Sequence, residues 1–138
     1  MRIAFGTDER TALADTIVEH LEKGGHDVAT VAGGQRWAEV GRAVGDAVAA
    51  GQADRGVVCC WTGTGVSMAA NKVGGVRAAL CTDAETARGA RRWNDANVLV
   101  LSNRLVSPPV AAEMLDAWFA TDPDPSETAA IASLDETH

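Results

Sequence analysis

The chain is 138 residues long, 46% hydrophobic and 22% charged, a composition that fits one globular domain and leaves no room for a second independent core. Twelve Lys and Arg against 19 Asp and Glu give a net charge of -7, which opposes nonspecific binding to nucleic acid or anionic lipid. Apolar runs of about five residues fall far short of the roughly 20 that span a bilayer, and the opening MRIAFGTDER lacks the layout of an export signal, so neither a membrane nor a nucleic-acid partner is expected.

Short β-type runs alternate with helical patterns from Met1 to about Ala120, the mark of an α/β fold with a parallel sheet and helices on both faces. The first strand is predicted over Arg2 to Phe5 and the first helix over Arg10 to Lys23, where Leu13, Ile17 and Leu21 recur every four residues on one face. Gly24 and Gly25 can end that helix in a left-handed turn. There follow a strand at Asp27 to Val31, a helix at Trp37 to Ala50, a strand at Gly56 to Cys60 and a helix at Gly65 to Lys72. The last two units pair a strand at Val76 to Leu80 with a helix at Ala84 to Arg91, and a strand at Asn97 to Leu101 with a helix at Pro108 to Phe119. Ser107 before Pro108 reads as an N-cap and first-turn pair. Five βα units make one domain over residues 1–121. The segment DPDPSET then breaks regular structure, so 122–138 is expected to be a C-terminal tail outside the core, either a loose helix or disordered.

In open sheets of this kind ligands bind at the carboxyl ends of the strands, which directs attention to Thr7 to Arg10, Gly33 to Trp37, Cys60 to Ser67, Thr82 to Glu85 and Ser102 to Arg104. The segment CWTGTGVSMAANK, 60–72, leaves a strand, turns through two glycines and opens a helix, so its amides can converge on an anion or oxyanion. It lacks the Lys-Ser or Lys-Thr ending of a phosphate loop and the third glycine of a dinucleotide fingerprint. Cys60 stands at the strand end beside this helix N-terminus, a setting that favours a thiolate, although a free cysteine there can equally be a buried structural residue. Cys59, Cys60 and Cys81 are odd in number, and neighbours 59 and 60 point to opposite faces of a strand. No disulfide framework is expected, and a reducing cytoplasm fits best. Histidines 20, 26 and 138 form no cluster of metal-ligand spacing, so no metal ligands are assigned. His20 and His26, away from the strand ends, receive no role.

These segments make the chain similar to the ribose-5-phosphate isomerase B and galactose-6-phosphate isomerase family. The resemblance is carried by MRIAFGTD at 1–8, VAAGQADRGVVCC at 48–60, TGTGVSMAANKVGGVRAAL at 62–80, TAR at 86–88, NDANVLVLSNRLV at 94–106 and AAEMLDAWF at 111–119, in family order and spacing. It implies a three-layer Rossmann-like fold with a five-stranded parallel sheet, and a homodimer or dimer of dimers with the site at the subunit interface. It also implies aldose–ketose isomerisation through an enediolate without metal or other cofactor. Cys60 stands at the position of the family's base, and Thr62, Gly63 and Gly65 match the loop that holds the enediolate oxygens, an oxyanion hole in chemical terms. Asp8 matches the acidic residue after the first strand, Asn94 an asparagine that contacts the sugar, and Arg104 an arginine that meets the phosphate across the dimer.

The departures from this pattern cluster at the same positions. Glu9 stands where the family has histidine and would repel a phosphate, Trp93 replaces the ring-opening histidine and cannot shuttle a proton, and residues 121–138 contain no Lys or Arg. Arg104 remains, although one arginine can simply pair with an acidic neighbour. Trp37 and Trp61 also fall at family site positions, while Trp118 matches a core residue. A tryptophan covers about 150–250 Å², so Trp37, Trp61 and Trp93 either close the pocket or line it for a flatter, less polar ligand. Asp8 and Glu9 can form an acid/base pair or an ordinary solvated pair at a helix start. Lys72 and Arg77 flank a turn, and Arg88, Arg91 and Arg92 read most simply as a solvated helix face. The expectation is an isomerase of the aldose–ketose type acting on a small carbonyl or sugar-like substrate that is altered, non-phosphorylated or more apolar. The alternatives are a noncatalytic binding or structural relative with a tryptophan-filled pocket, and a ribose-5-phosphate isomerase with altered phosphate contacts.

Overall fold

A computed structural model describes residues 1–136, so His138 lies outside the described residues. Five strands, β1 (Arg2–Thr7), β2 (Asp27–Gly33), β3 (Arg55–Cys60), β4 (Ala78–Leu80) and β5 (Val98–Ser102), form one sheet in the order β2-β1-β3-β5-β4. Every neighbouring pair is parallel. The helices are α1 (Ala12–Lys23), α2 (Trp37–Ala49), α3 (Thr64–Asn71), α4 (Ala84–Asn94), α5 (Pro108–Phe119) and the short α6 (Thr128–Ser133). Two cores result, one on each face of the sheet. Ile3, Phe5, Val57, Cys59, Leu99 and Leu101 meet Ile17, Leu21, Met114 and Trp118 on the α1, α4 and α5 side. Ala4, Val58, Cys60, Val98 and Val100 meet Val40, Val44, Val66 and Ala70 on the α2 and α3 side. The period-2 alternation of a strand therefore sends Cys59 and Cys60 into different layers, as expected, and all three thiols are free.

Element boundaries follow local hydrogen bonding. Thr11, not Arg10, starts α1: its hydroxyl accepts from the Ala14 amide at 3.1 Å. That helix ends with Gly24 closing onto His20 and Gly25 at φ 86°. Ser107 caps α5 as predicted, accepting from the Val110 amide. Strand β4 is shorter than the predicted run because the Arg77 amide binds the Asn97 side-chain oxygen at 2.7 Å instead of joining a ladder. The helix run of arginines is a correction: Arg91 is 3% exposed, not solvated, and binds Asp95, the Ala96 carbonyl and the Thr121 carbonyl. Beyond Thr121 the chain makes a short 3-10 turn and α6 against α4. None of residues 122–136 is buried, so this segment lies outside both cores.

Candidate active site

The sheet order creates one switch point. From β1 the chain crosses to β2 on one side, and from β3 it crosses to the other, so the carboxyl ends of β1 and β3 open between diverging connections. Thr7 pairs with Cys59, and Cys60 with Ser102. Asp8, Cys60 and the turn after Ser102 thus leave the sheet side by side.

Cys60 is 4% exposed, and the amide of Gly63 donates to its Sγ at 3.2 Å. Gly63 can aim that amide because it sits at φ 81° as the N-cap of α3, a left-handed conformation that favours glycine. A Cβ there would also lie 2.5 Å from Leu80 Cδ1. The Thr62 and Thr64 hydroxyls bond to each other at 2.8 Å, and the Ser67 amide returns to the Gly63 carbonyl at 3.2 Å. The Cys60 sulfur thus lies at the N-terminus of α3 with one backbone amide on it. Burial pushes the other two thiols up, Cys59 to about 12 and Cys81 to about 11, which keeps both protonated at neutral pH.

Asp8 is half-buried, and its Oδ1 has no hydrogen-bond partner. Burial, then the charge of Glu9, pushes its carboxyl above the ordinary range. Glu9 itself is exposed, with its carbonyl accepting from the Thr7 hydroxyl. Arg104 is exposed beside the Cys60 loop, its amide on the Trp61 carbonyl at 3.0 Å. Among the described residues neither Arg104 nor Arg10 is ion-paired with a carboxylate, so Arg104 is not taken up by an acidic neighbour.

The tryptophans are disposed differently from one another. Trp37 lies flat on Gly65, where a Cβ would come 2.7 Å from its Cε3, so its indole forms a wall beside the loop. Trp61 follows Cys60 and is 55% exposed. Trp93 lies on Gly89 and shares a concavity with Leu80, Cys81 and Thr86 along the β4 flank. Trp37 and Trp93, at 45% and 55% exposed, are likewise accessible, so the three indoles do not pack into a plug within one chain. Trp118 is fully buried, as predicted.

Asn94 does not join the others. Helix α4 runs back against the strand direction for about 16 Å at 1.5 Å per residue. Its end lies near the start of β4, where Arg77 Nε donates to the Asp95 carbonyl at 2.9 Å. Cys60, Asp8, Thr62, Gly63, Gly65, Trp37, Trp61 and Arg104 gather at the carboxyl edge; Asn94 sits at the opposite edge of the same sheet. The sequence marks Ser102 to Arg104 as a strand-end segment but gives no role to Ser102, whose hydroxyl donates to the Trp61 carbonyl, or to Asn103, whose amide donates to the Cys60 carbonyl. A small polar residue at a strand end flanking the glycine loop was the available signal. No group of three His, Cys, Asp or Glu among the described residues gathers in metal-binding geometry.

Comparison with known proteins identifies the family and the fold. The family model described as Ribose/Galactose Isomerase matches residues 3–133. Ribose-5-phosphate isomerase B of Escherichia coli is 38% identical over 123 residues, 86% of this chain and 83% of that protein. A DNA damage-repair/toleration protein of Arabidopsis thaliana is 42% identical over 124 residues, 88% of this chain but only 40% of that protein, so the chain spans less than half the length of that relative. Among solved structures, ribose-5-phosphate isomerase B of Clostridium thermocellum superposes with a TM-score of 0.90 at 35% identity, covering 98% of this chain and 95% of that one.

Proposed function

Because the chain belongs to the ribose/galactose isomerase family, we propose that it is an aldose–ketose isomerase in which Cys60 is the base. The observation that carries this reading is the Gly63 amide on Cys60 Sγ at 3.2 Å, on a strand end at the switch point. In the proposed step the Cys60 thiolate takes the proton from the carbon next to the carbonyl. The charge passes to the carbonyl oxygen, where amides of the Thr62 to Gly65 loop meet it. The thiol then returns the proton to the neighbouring carbon, and Asp8, which binds its proton more tightly than an ordinary carboxyl, relays the hydroxyl proton. Asn94 orients substrate hydroxyls from a second subunit, because its own subunit holds it at the far edge of the sheet. The partner is a second copy in a homodimer or a dimer of dimers.

We assign this site an altered substrate, open-chain or with its carbonyl already free, and less polar than a pentose phosphate. Trp93 in place of a ring-opening histidine, Glu9 beside Asp8 and the exposed face of Trp37 support it. A second reading, a sugar phosphate held by altered contacts, is favoured by Arg10 and Arg104, which have no carboxylate partner among the described residues. A substrate panel separates the two. Phosphorylated and free pentoses and tetroses, with aryl ketones, are incubated with the enzyme and interconversion is followed by NMR. Turnover of free or aryl compounds alone is the expected result; turnover of phosphorylated sugars alone supports the second reading and overturns the first. If no compound is interconverted and no ligand perturbs tryptophan fluorescence, the noncatalytic alternative takes the place of both.

A further inference from the structure

The turn after β5 holds both loops of the candidate site. The Asn103 amide donates to the Cys60 carbonyl at 2.9 Å, and the Arg104 amide to the Trp61 carbonyl at 3.0 Å. The Ser102 hydroxyl donates to that same Trp61 carbonyl at 3.0 Å. Two consecutive peptide groups, those following Cys60 and Trp61, are therefore pinned by three donors from one turn. Ser102 is 4% exposed, so water cannot replace its hydroxyl without opening the sheet end. On its other side the turn reaches the loop that carries Asp8: the Thr11 hydroxyl lies 3.4 Å from Asn103 Oδ1, and Thr11 is the N-cap of α1. The angle at which Gly63 meets Cys60 Sγ depends on the path of residues 61 and 62, and that path is set by where the Trp61 carbonyl is held.

We propose that Ser102 is a positioning residue for Cys60: by fixing the Trp61 carbonyl it aims the Gly63 amide at the sulfur, while the Asn103 side chain ties this bracket to the Asp8 loop. This rests on the reading of Cys60 as the base, but its test does not need turnover. Iodoacetamide modification of each cysteine is followed by mass spectrometry at neutral pH and at a pH high enough to ionise an unassisted thiol, for wild type, Ser102→Ala, Ser102→Thr and Thr121→Ala. The ratio of the two Cys60 rates cancels changes in access and reports how far the loop favours thiolate at neutral pH. In Ser102→Ala this ratio is expected to fall about tenfold, the change equivalent to one unit of pH. Ser102→Thr retains the hydroxyl and keeps the wild-type ratio. Thr121→Ala removes a hydroxyl-to-carbonyl bond of the same kind, 2.7 Å to Ala117, at the far end of α5 and leaves the ratio unchanged. An unchanged ratio in Ser102→Ala overturns the proposal, as does an equal fall in Thr121→Ala, which would mark general loosening. A clear fall in Ser102→Ala in a protein that turns over no substrate would keep the positioning role and sink only the isomerase reading.

Discussion

At the scale of single residues, the site sets a sulfur that accepts a backbone amide near a carboxyl that is hindered from ionising. Asp8 keeps its proton more tightly in the folded chain than in the unfolded one, through burial first and Glu9 second. The folded state then binds more protons through the carboxylate range, so stability falls as pH rises from below the ordinary Asp value through the raised one. Asp8→Asn removes that loss. It should melt at a higher temperature than wild type at neutral pH, with the advantage vanishing as pH drops below the ordinary carboxylate range. A variant that gains nothing at neutral pH would show that the orphaned Oδ1 is satisfied in solution. The setting of Cys60 was legible in the sequence because a strand end, two glycines and a helix start lie within six residues of it. Arg91 was not legible. Its neighbours Arg88 and Arg92 are more exposed, and nothing in the local string distinguishes the one whose guanidinium turns inward to Asp95 and two carbonyls.

At the scale of elements, the α2–α3 contact determines where the glycine loop ends up. A Cβ on Gly41 would meet the Val66 carbonyl at 2.6 Å and the Ala69 Cβ at 2.7 Å, both parts of a helix that cannot turn aside. Gly41→Ala must therefore push α3 from α2. It should cost about 1–3 kcal/mol, the usual range for overpacking, and displace the Gly63 to Gly65 turn, so that urea unfolding and Cys60 reactivity shift together. Lower stability with wild-type Cys60 reactivity would mean that β3 alone holds the loop. All five strands and the five principal helices could be read from periodicity and capping, since Leu13, Ile17 and Leu21, or Ser107 and Pro108, signal locally. The strand order could not be read. It depends on which strands pack under which helices, and β5 enters between β3 and β4 through contacts remote in sequence. The shortening of β4 was hidden for the same reason, because the Asn97 side chain that occupies the Arg77 amide comes from 20 residues away.

At the scale of the molecule, one chain presents most of a site at one edge of the sheet and Asn94 at the other. If two copies complete each other by two-fold symmetry, each site takes Cys60 from one chain and Asn94 from its partner. Co-expressed Cys60→Ala and Asn94→Ala chains should then recover activity that neither variant has alone, to about a quarter of wild type when half the dimers are mixed and each has one intact site. No recovery in mixed dimers would assign both residues to one subunit or remove Asn94 from the reaction. The residue string could mark Asn94 as a candidate through the resemblance, but not its distance from Cys60, which follows from the direction of α4. The central claim, that Cys60 moves a proton next to a carbonyl, is tested most directly by solvent-deuterium incorporation into substrate followed by NMR, wild type against Cys60→Ala. Carbon-bound deuterium should appear with wild type on at least one member of the panel, and Cys60→Ala should slow it by about 10²–10⁴-fold, the usual contribution of a general base. Exchange that persists undiminished in Cys60→Ala, or is absent from wild type across the panel, would contradict the account.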